Sequence, residues 1–103
     1  MTTWLRVAPA ADIAPGDYAS IEVDDAFVAV YNIDGEFFAI DDVCTHDGGP
    51  LSEGDLDGFA IACPRHGAKF DIRNGAALTM PATQPTEAYE VKVENGQVLV
   101  KVD

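Results

Sequence analysis

At 103 residues with 48% hydrophobic content, the chain is long enough to bury one core, too short for two, and too apolar for a disordered segment. Its formal net charge of −12, from 18 acidic against 6 basic residues, excludes ordinary binding to nucleic-acid phosphates and argues against an anionic membrane surface. Nine glycines and six prolines predict many turns, and residues 1–103 read as a single domain.

In chain order, residues 4–7 predict a short first strand, followed by a Pro/Gly-containing connection over 8–16 with room for one helical turn. Residues 18–23 alternate, placing Ile21 and Val23 on one face and Glu22 on the other. Residues 26–33 form the most apolar strand, and Asp34-Gly35 turns it back into a strand over 36–40. After a loop from Asp41 to about Leu51, residues 56–62 predict another strand and 69–72 the next. Residues 76–86 show little periodicity, and Pro81 and Pro85 predict an extended path there. The closing hairpin is the clearest local signal: Tyr89, Val91 and Val93 alternate with charged residues, Asn95-Gly96 turns, and Val98, Val100 and Val102 complete the second strand. No stretch sustains a 3.6-residue apolar period, so the expected fold is all-β, an antiparallel sandwich or barrel. The aromatic side chains Trp4, Phe27, Tyr31, Phe37 and Phe38 are expected to serve in core and cross-strand packing.

The chemistry concentrates in two stretches, Cys44-Thr45-His46 and Cys63-Pro64-Arg65-His66, which hold both cysteines and both histidines of the chain. Two thiolates and two neutral imidazoles form a complete ligand set for zinc or for an iron-sulfur cluster. A structural zinc finger usually pairs its cysteines in one loop and its histidines in another. Here each loop supplies one of each, which fits a two-iron cluster with chemically different ends. A Cys-His nucleophile pair is the catalytic alternative, and the duplication argues against it.

The two motifs resemble those of the Rieske [2Fe-2S] proteins, Cys-x-His and Cys-x-x-His, and in particular the soluble Rieske ferredoxins of ring-hydroxylating dioxygenases. The resemblance extends through Leu51-Ser52-Glu53-Gly54 after the first loop and Gly67-Ala68-Lys69-Phe70-Asp71 after the second, and by turn spacing it spans essentially the whole chain. It implies the Rieske iron-sulfur fold with two cluster-binding loops at one end. It also implies one [2Fe-2S] cluster, with Cys44 and Cys63 on the inner iron and His46 and His66 on the outer. Such a cluster is neutral when oxidised and carries one negative charge when reduced, which eases electron uptake relative to all-thiolate clusters.

In high-potential Rieske proteins a Ser and a Tyr follow the second histidine and donate hydrogen bonds to sulfur, and a disulfide joins the two loops. This chain has Ala68 and Phe70 at the first two places, and Gly49 and Arg65 where the disulfide cysteines would stand. The resemblance therefore implies a potential near the lower bound of the Rieske range, about −150 mV. Gly48, Gly49 and Gly67 are expected to permit positive φ or close backbone approach, and Pro50 and Pro64 to stiffen the loops. Arg65, Lys69 and Arg73 near the second loop, with Asp41, Asp42, Asp47 and Glu53 around the first, predict a cluster end of mixed sign.

The implied role is a non-enzymatic electron carrier in aromatic hydrocarbon catabolism. It would be loaded by a flavin-containing, NAD(P)H-dependent reductase and discharged to a terminal Rieske non-haem iron oxygenase. The first residues lack the basic start and apolar run of a secretory signal, so the expected compartment is the cytoplasm. The alternatives are a small Rieske-like subunit of a nitrite reductase or other oxidoreductase complex, which retention of all four ligands disfavours, and a zinc-stabilised domain.

Overall fold

A computed structural model describes residues 3–23, 26–42, 51–52, 54–64, 67–79 and 84–102. Its strands are β1 (Thr3–Pro9), β2 (Tyr18–Val23), β3 (Ala26–Ile33), β4 (Glu36–Asp41), β5 (Leu56–Asp57), β6 (Ala60–Ala62), β7 (Lys69–Asp71), β8 (Ala88–Tyr89), β9 (Val91–Glu94) and β10 (Gln97–Val102), with a single 3-10 turn at Ala10–Asp12. They form three antiparallel sheets, ordered β1-β10-β9, β2-β3-β4-β8 and β5-β6-β7.

The four-stranded sheet separates two apolar clusters, and the strand period of two decides which residue enters which. Val28 and Val30 of β3 join Ala39 of β4 against Val98, Val100 and Val102 of β10. The alternate residues Ala29, Tyr31 and Ile33 join Ile40 in facing Ile61, Cys63, Ala68, Phe70 and Ile72. The register agrees, since Ala29 pairs with Ile40 and Val30 with Ala39. β3 is apolar on both faces because it lies between two cores, as a strand covered on both sides must be. Asn32 is the polar exception, and it is satisfied: its amide donates to the Ile13 carbonyl at 2.7 Å and its oxygen accepts from the Gly35 N–H at 2.8 Å.

β2 and β3 begin and end as the alternation predicts, and β10 buries Val98, Val100 and Val102. Three expectations need correction. The strand expected over 56–62 is a tight hairpin, because Gly58 at φ +62° reverses the chain and pairs Leu56 with Ile61. Tyr89 does not belong to the closing hairpin: it lies in β8 and pairs with Ala39 of β4, whereas β9 starts at Val91 and pairs with β10. Phe27 packs into neither core and is 55% exposed at the start of β3. Pro81 lies outside the described residues, and Pro85 is exposed.

Candidate metal centre

The second Cys-His motif begins at the mouth of a hairpin. Ala62 of β6 pairs with Lys69 of β7, and the described residues Cys63, Pro64, Gly67 and Ala68 lie between the two strands. The Cys63 N–H donates to the Ala68 carbonyl at 2.6 Å and the Gly67 N–H donates to the Cys63 carbonyl at 2.9 Å. Gly67 has φ +75°, the left-handed conformation expected of it, which a side chain would strain. The Cys63 thiol is free and buried, and shares its apolar cluster with Leu51, Ala68 and Phe70. Arg65 and His66 lie outside the described residues.

Cys44 and His46 of the first loop also lie outside them, as do Gly48, Gly49 and Pro50, but both ends of that loop are defined. At its start, the Asp42 N–H donates to the Phe27 carbonyl at 2.8 Å, tying the loop to β3. At its finish, the Ser52 N–H and hydroxyl donate to the two Asp42 carboxylate oxygens at 2.7 and 2.6 Å. The Tyr89 hydroxyl donates to Asp41 Oδ1 at 2.6 Å. Burial, reinforced by that bond and the Asp41 charge, raises the Tyr89 pKa above the ordinary phenolic value.

The loop then connects to its counterpart through Gly54, whose N–H donates to the Leu51 carbonyl at 2.9 Å. A Cβ on Gly54 would lie 1.7 Å from the carbonyl oxygen of Ala62, the residue before Cys63. The exit of the first ligand loop thus lies directly against the entry to the second. Neither the carboxylate brace nor this contact was identified from sequence as part of the site. The only signals were an Asp and a Ser flanking the first motif and the Leu-Ser-Glu-Gly run after it.

The basic residues near the second loop are largely engaged. Lys69 lies 3.7 Å from Asp57, and Arg73 pairs with Asp71 at 2.8 Å while its guanidinium stands 4.3 Å over the Phe59 ring. The Arg73 hydrogen bond holds the Asp71 carboxyl below the usual carboxylate range. Beside the loops, Phe27 and Leu78 are exposed apolar side chains.

Among the described residues no three His, Cys, Asp or Glu side chains converge to hold an ion. The donor set fits an iron-sulfur cluster nonetheless. Cys63 offers sulfur from a rigid, apolar hairpin mouth, and the roots of the loop carrying Cys44 and His46 are drawn together by Asp42 and Ser52.

Comparison with known proteins agrees. The ferredoxin component of the naphthalene 1,2-dioxygenase/salicylate 5-hydroxylase systems of Ralstonia sp. is 38% identical over 100 residues, covering 97% of this chain and 96% of that protein. The Sphingomonas yanoikuyae B1 ferredoxin superposes with a TM-score of 0.90 at 37% identity, covering 98% of this chain and all of that one. A chain in the complex of reduced oxygenase and oxidized ferredoxin in carbazole 1,9a-dioxygenase matches with a TM-score of 0.89 at 42% identity, covering 94% of this chain and 91% of that one. The model for the Rieske [2Fe-2S] domain matches residues 3–90, so the chain belongs to the Rieske family and its cofactor is a Rieske-type [2Fe-2S] cluster.

Proposed function

We propose that this chain is the ferredoxin component of a ring-hydroxylating dioxygenase system: a cytoplasmic, single-domain, one-electron carrier that performs no catalysis itself. Cys44 and Cys63 hold one iron through thiolate sulfur, and His46 and His66 hold the other through ring nitrogen. The cluster supplies reversible one-electron storage. Electrons arrive from a flavin-containing NAD(P)H reductase and leave to a terminal Rieske non-haem iron oxygenase acting on an aromatic substrate.

The observation that carries this reading is the buried, unpaired Cys63 at the mouth of a short hairpin, in a chain similar almost end to end to a named ferredoxin component. A buried free thiol is usually an inert packing group. Here its N–H and carbonyl are both fastened within the turn, which fixes the direction in which sulfur is offered. The apolar surroundings exclude water from the thiolate side. Ala68 and Phe70, both fully buried with Cys63, contribute no hydroxyl toward sulfur, which supports a low potential. The strongly acidic surface suits reductase and oxygenase partners with basic docking faces and disfavours nucleic acid and membrane. No helix among the described residues is long and apolar enough to cross a membrane.

The test is metal and sulfide analysis of the protein purified without oxygen, with EPR of the dithionite-reduced form. Two irons and two acid-labile sulfides per chain are expected, with an average g below that of all-cysteine clusters. A single metal atom without sulfide would refute the assignment. Replacement of His46 or His66 by Ala should abolish the Rieske signal.

A further inference from the structure

The first ligand loop leaves the four-stranded sheet at Asp42 and returns to the core at Leu51, which is fully buried. Between those points run the eight residues that include Cys44 and His46. Asp42 fastens both ends. Its backbone N–H reaches the Phe27 carbonyl of β3, and each oxygen of its carboxylate accepts one hydrogen bond from Ser52, one from the amide and one from the hydroxyl. The brace continues through the turn at residues 51–54 to the close approach of Gly54 and Ala62, and so to Cys63.

We propose that Asp42 is a positioning residue for the cluster: its two-point grip on Ser52 closes the base of the first ligand loop and fixes where Cys44 and His46 are presented. The inference rests on the ligand assignment above and adds a residue that is not itself a ligand. Each carboxylate oxygen of Asp42 accepts from Ser52, so its observed role is as an acceptor within the protein. Hydrogen bonds to an ionised acceptor are the strong class, and two of them to one serine restrict both the backbone and the side chain at the loop exit. A ligand loop held at both ends presents its donors in one geometry. One held only at its start must be ordered each time the metal is captured, and it releases metal more readily.

Chelator-driven loss of the cluster's visible absorbance, measured on holoprotein after iron and sulfide analysis, is the experiment. Asp42→Ala removes both bonds and should accelerate cluster loss by roughly tenfold or more, since tenfold is the equivalent of one charge-assisted hydrogen bond. Ser52→Ala removes one bond and should fall between Asp42→Ala and wild type. Asp42→Asn keeps the shape, with its amide oxygen accepting from the Ser52 N–H and its amide nitrogen donating to the Ser52 hydroxyl, and should retain the cluster better than Asp42→Ala but less well than wild type, because neutral bonds replace charge-assisted ones.

Asn32→Ala breaks a comparable pair of bonds at the opposite end of β3 and serves as the control for lost stability alone. It should lower the unfolding temperature without hastening cluster loss from folded protein. Wild-type retention in Asp42→Ala would overturn the inference. So would a rate of loss that merely follows unfolding temperature across all four variants. A wild-type protein lacking labile sulfide would instead sink the ligand assignment, before any variant is compared.

Discussion

Gly54→Ala tests whether the two ligand loops are joined where their backbones meet. The new Cβ would stand 1.7 Å from the Ala62 carbonyl oxygen and 2.9 Å from its carbonyl carbon, whereas real Cβ contacts essentially never fall below 3.0 Å. The oxygen and the methyl must therefore separate by at least the difference, 1.3 Å, and because both belong to backbone neither can turn aside as a long side chain would. The displaced segments carry the Gly54 N–H bond to the Leu51 carbonyl and the Ala62 N–H bond to the Asp55 carbonyl. Overpacking of this kind costs about 1–3 kcal/mol and a lost hydrogen bond about 1 kcal/mol, so the substitution should destabilise by about 2–4 kcal/mol. For a domain of this size that lowers the unfolding temperature by roughly 10–20 °C. Because Ala62 precedes Cys63, the iron content of the purified protein should fall as well. Gly58→Ala is the matched control. Its φ of +62° strains an L-residue, but the added methyl meets nothing within 4 Å, so it should cost about 1 kcal/mol and leave iron content unchanged. Calorimetry with iron and sulfide analysis on both variants decides it. A Gly54→Ala protein no less stable than Gly58→Ala and fully loaded with cluster would refute the close approach.

Ala68→Ser and Phe70→Tyr each place a hydroxyl in the apolar cluster around Cys63, and each should raise the midpoint potential measured by redox titration. Rising ionic strength should slow electron delivery to the oxygenase in stopped-flow measurements, since the chain's charge of −12 steers encounter. Tyr31 is almost completely buried and its hydroxyl finds no hydrogen-bond partner among the described residues, so Tyr31→Phe should stabilise by about 1 kcal/mol in chemical denaturation. Burial first, then the Asp42 and Tyr18 charges, raise the Tyr31 pKa above its ordinary value. The unfolded chain therefore loses this proton first, so stability falls as pH rises beyond about 10, and Tyr31→Phe should flatten that alkaline decline. Asp71 has the opposite sign: the Arg73 hydrogen bond depresses its pKa in the fold, so its contribution is present above about pH 4 and lost in acid. Asp71→Asn should show a shallower loss of stability as pH falls below that point.

The strands that could be placed from sequence are those whose pattern has a single explanation. Tyr18–Val23 alternates because one of its faces is solvated, and Ala26–Ile33 is apolar at every position but Asn32 because it has a core on each side. The failures came where one pattern fits two structures. Residues 56–62 contain enough apolar positions for one strand, yet Asp57-Gly58 is also a turn signal, and only the pairing of Leu56 with Ile61 decides between them. Tyr89 continues the alternation of Val91 and Val93, but alternation does not say which sheet a strand joins. The chain passes from β8 in one sheet to β9 in another across Glu90 without breaking the period.

The donor set proposed for the site could be read from sequence, whereas the contacts that support its loops could not, for a physical reason. The proposed ligands stand out because thiol and imidazole donors are scarce here: two cysteines and two histidines in a chain with 18 acidic residues. Among so many carboxylates, Asp42 looks like one more solvated charge until the Ser52 amide and hydroxyl are seen to meet it. Gly54 looks like an ordinary turn glycine until the Ala62 carbonyl is found where its Cβ would be. Both supports are relations between segments ten or so residues apart, and a residue's type carries no record of its distant neighbour. The same separation explains why each can be tested without touching a ligand. Altering Asp42 or Gly54 leaves all four proposed ligands unchanged and should alter only how firmly the chain holds them toward one another, so cluster retention reports on the scaffold and the EPR signature on the ligands.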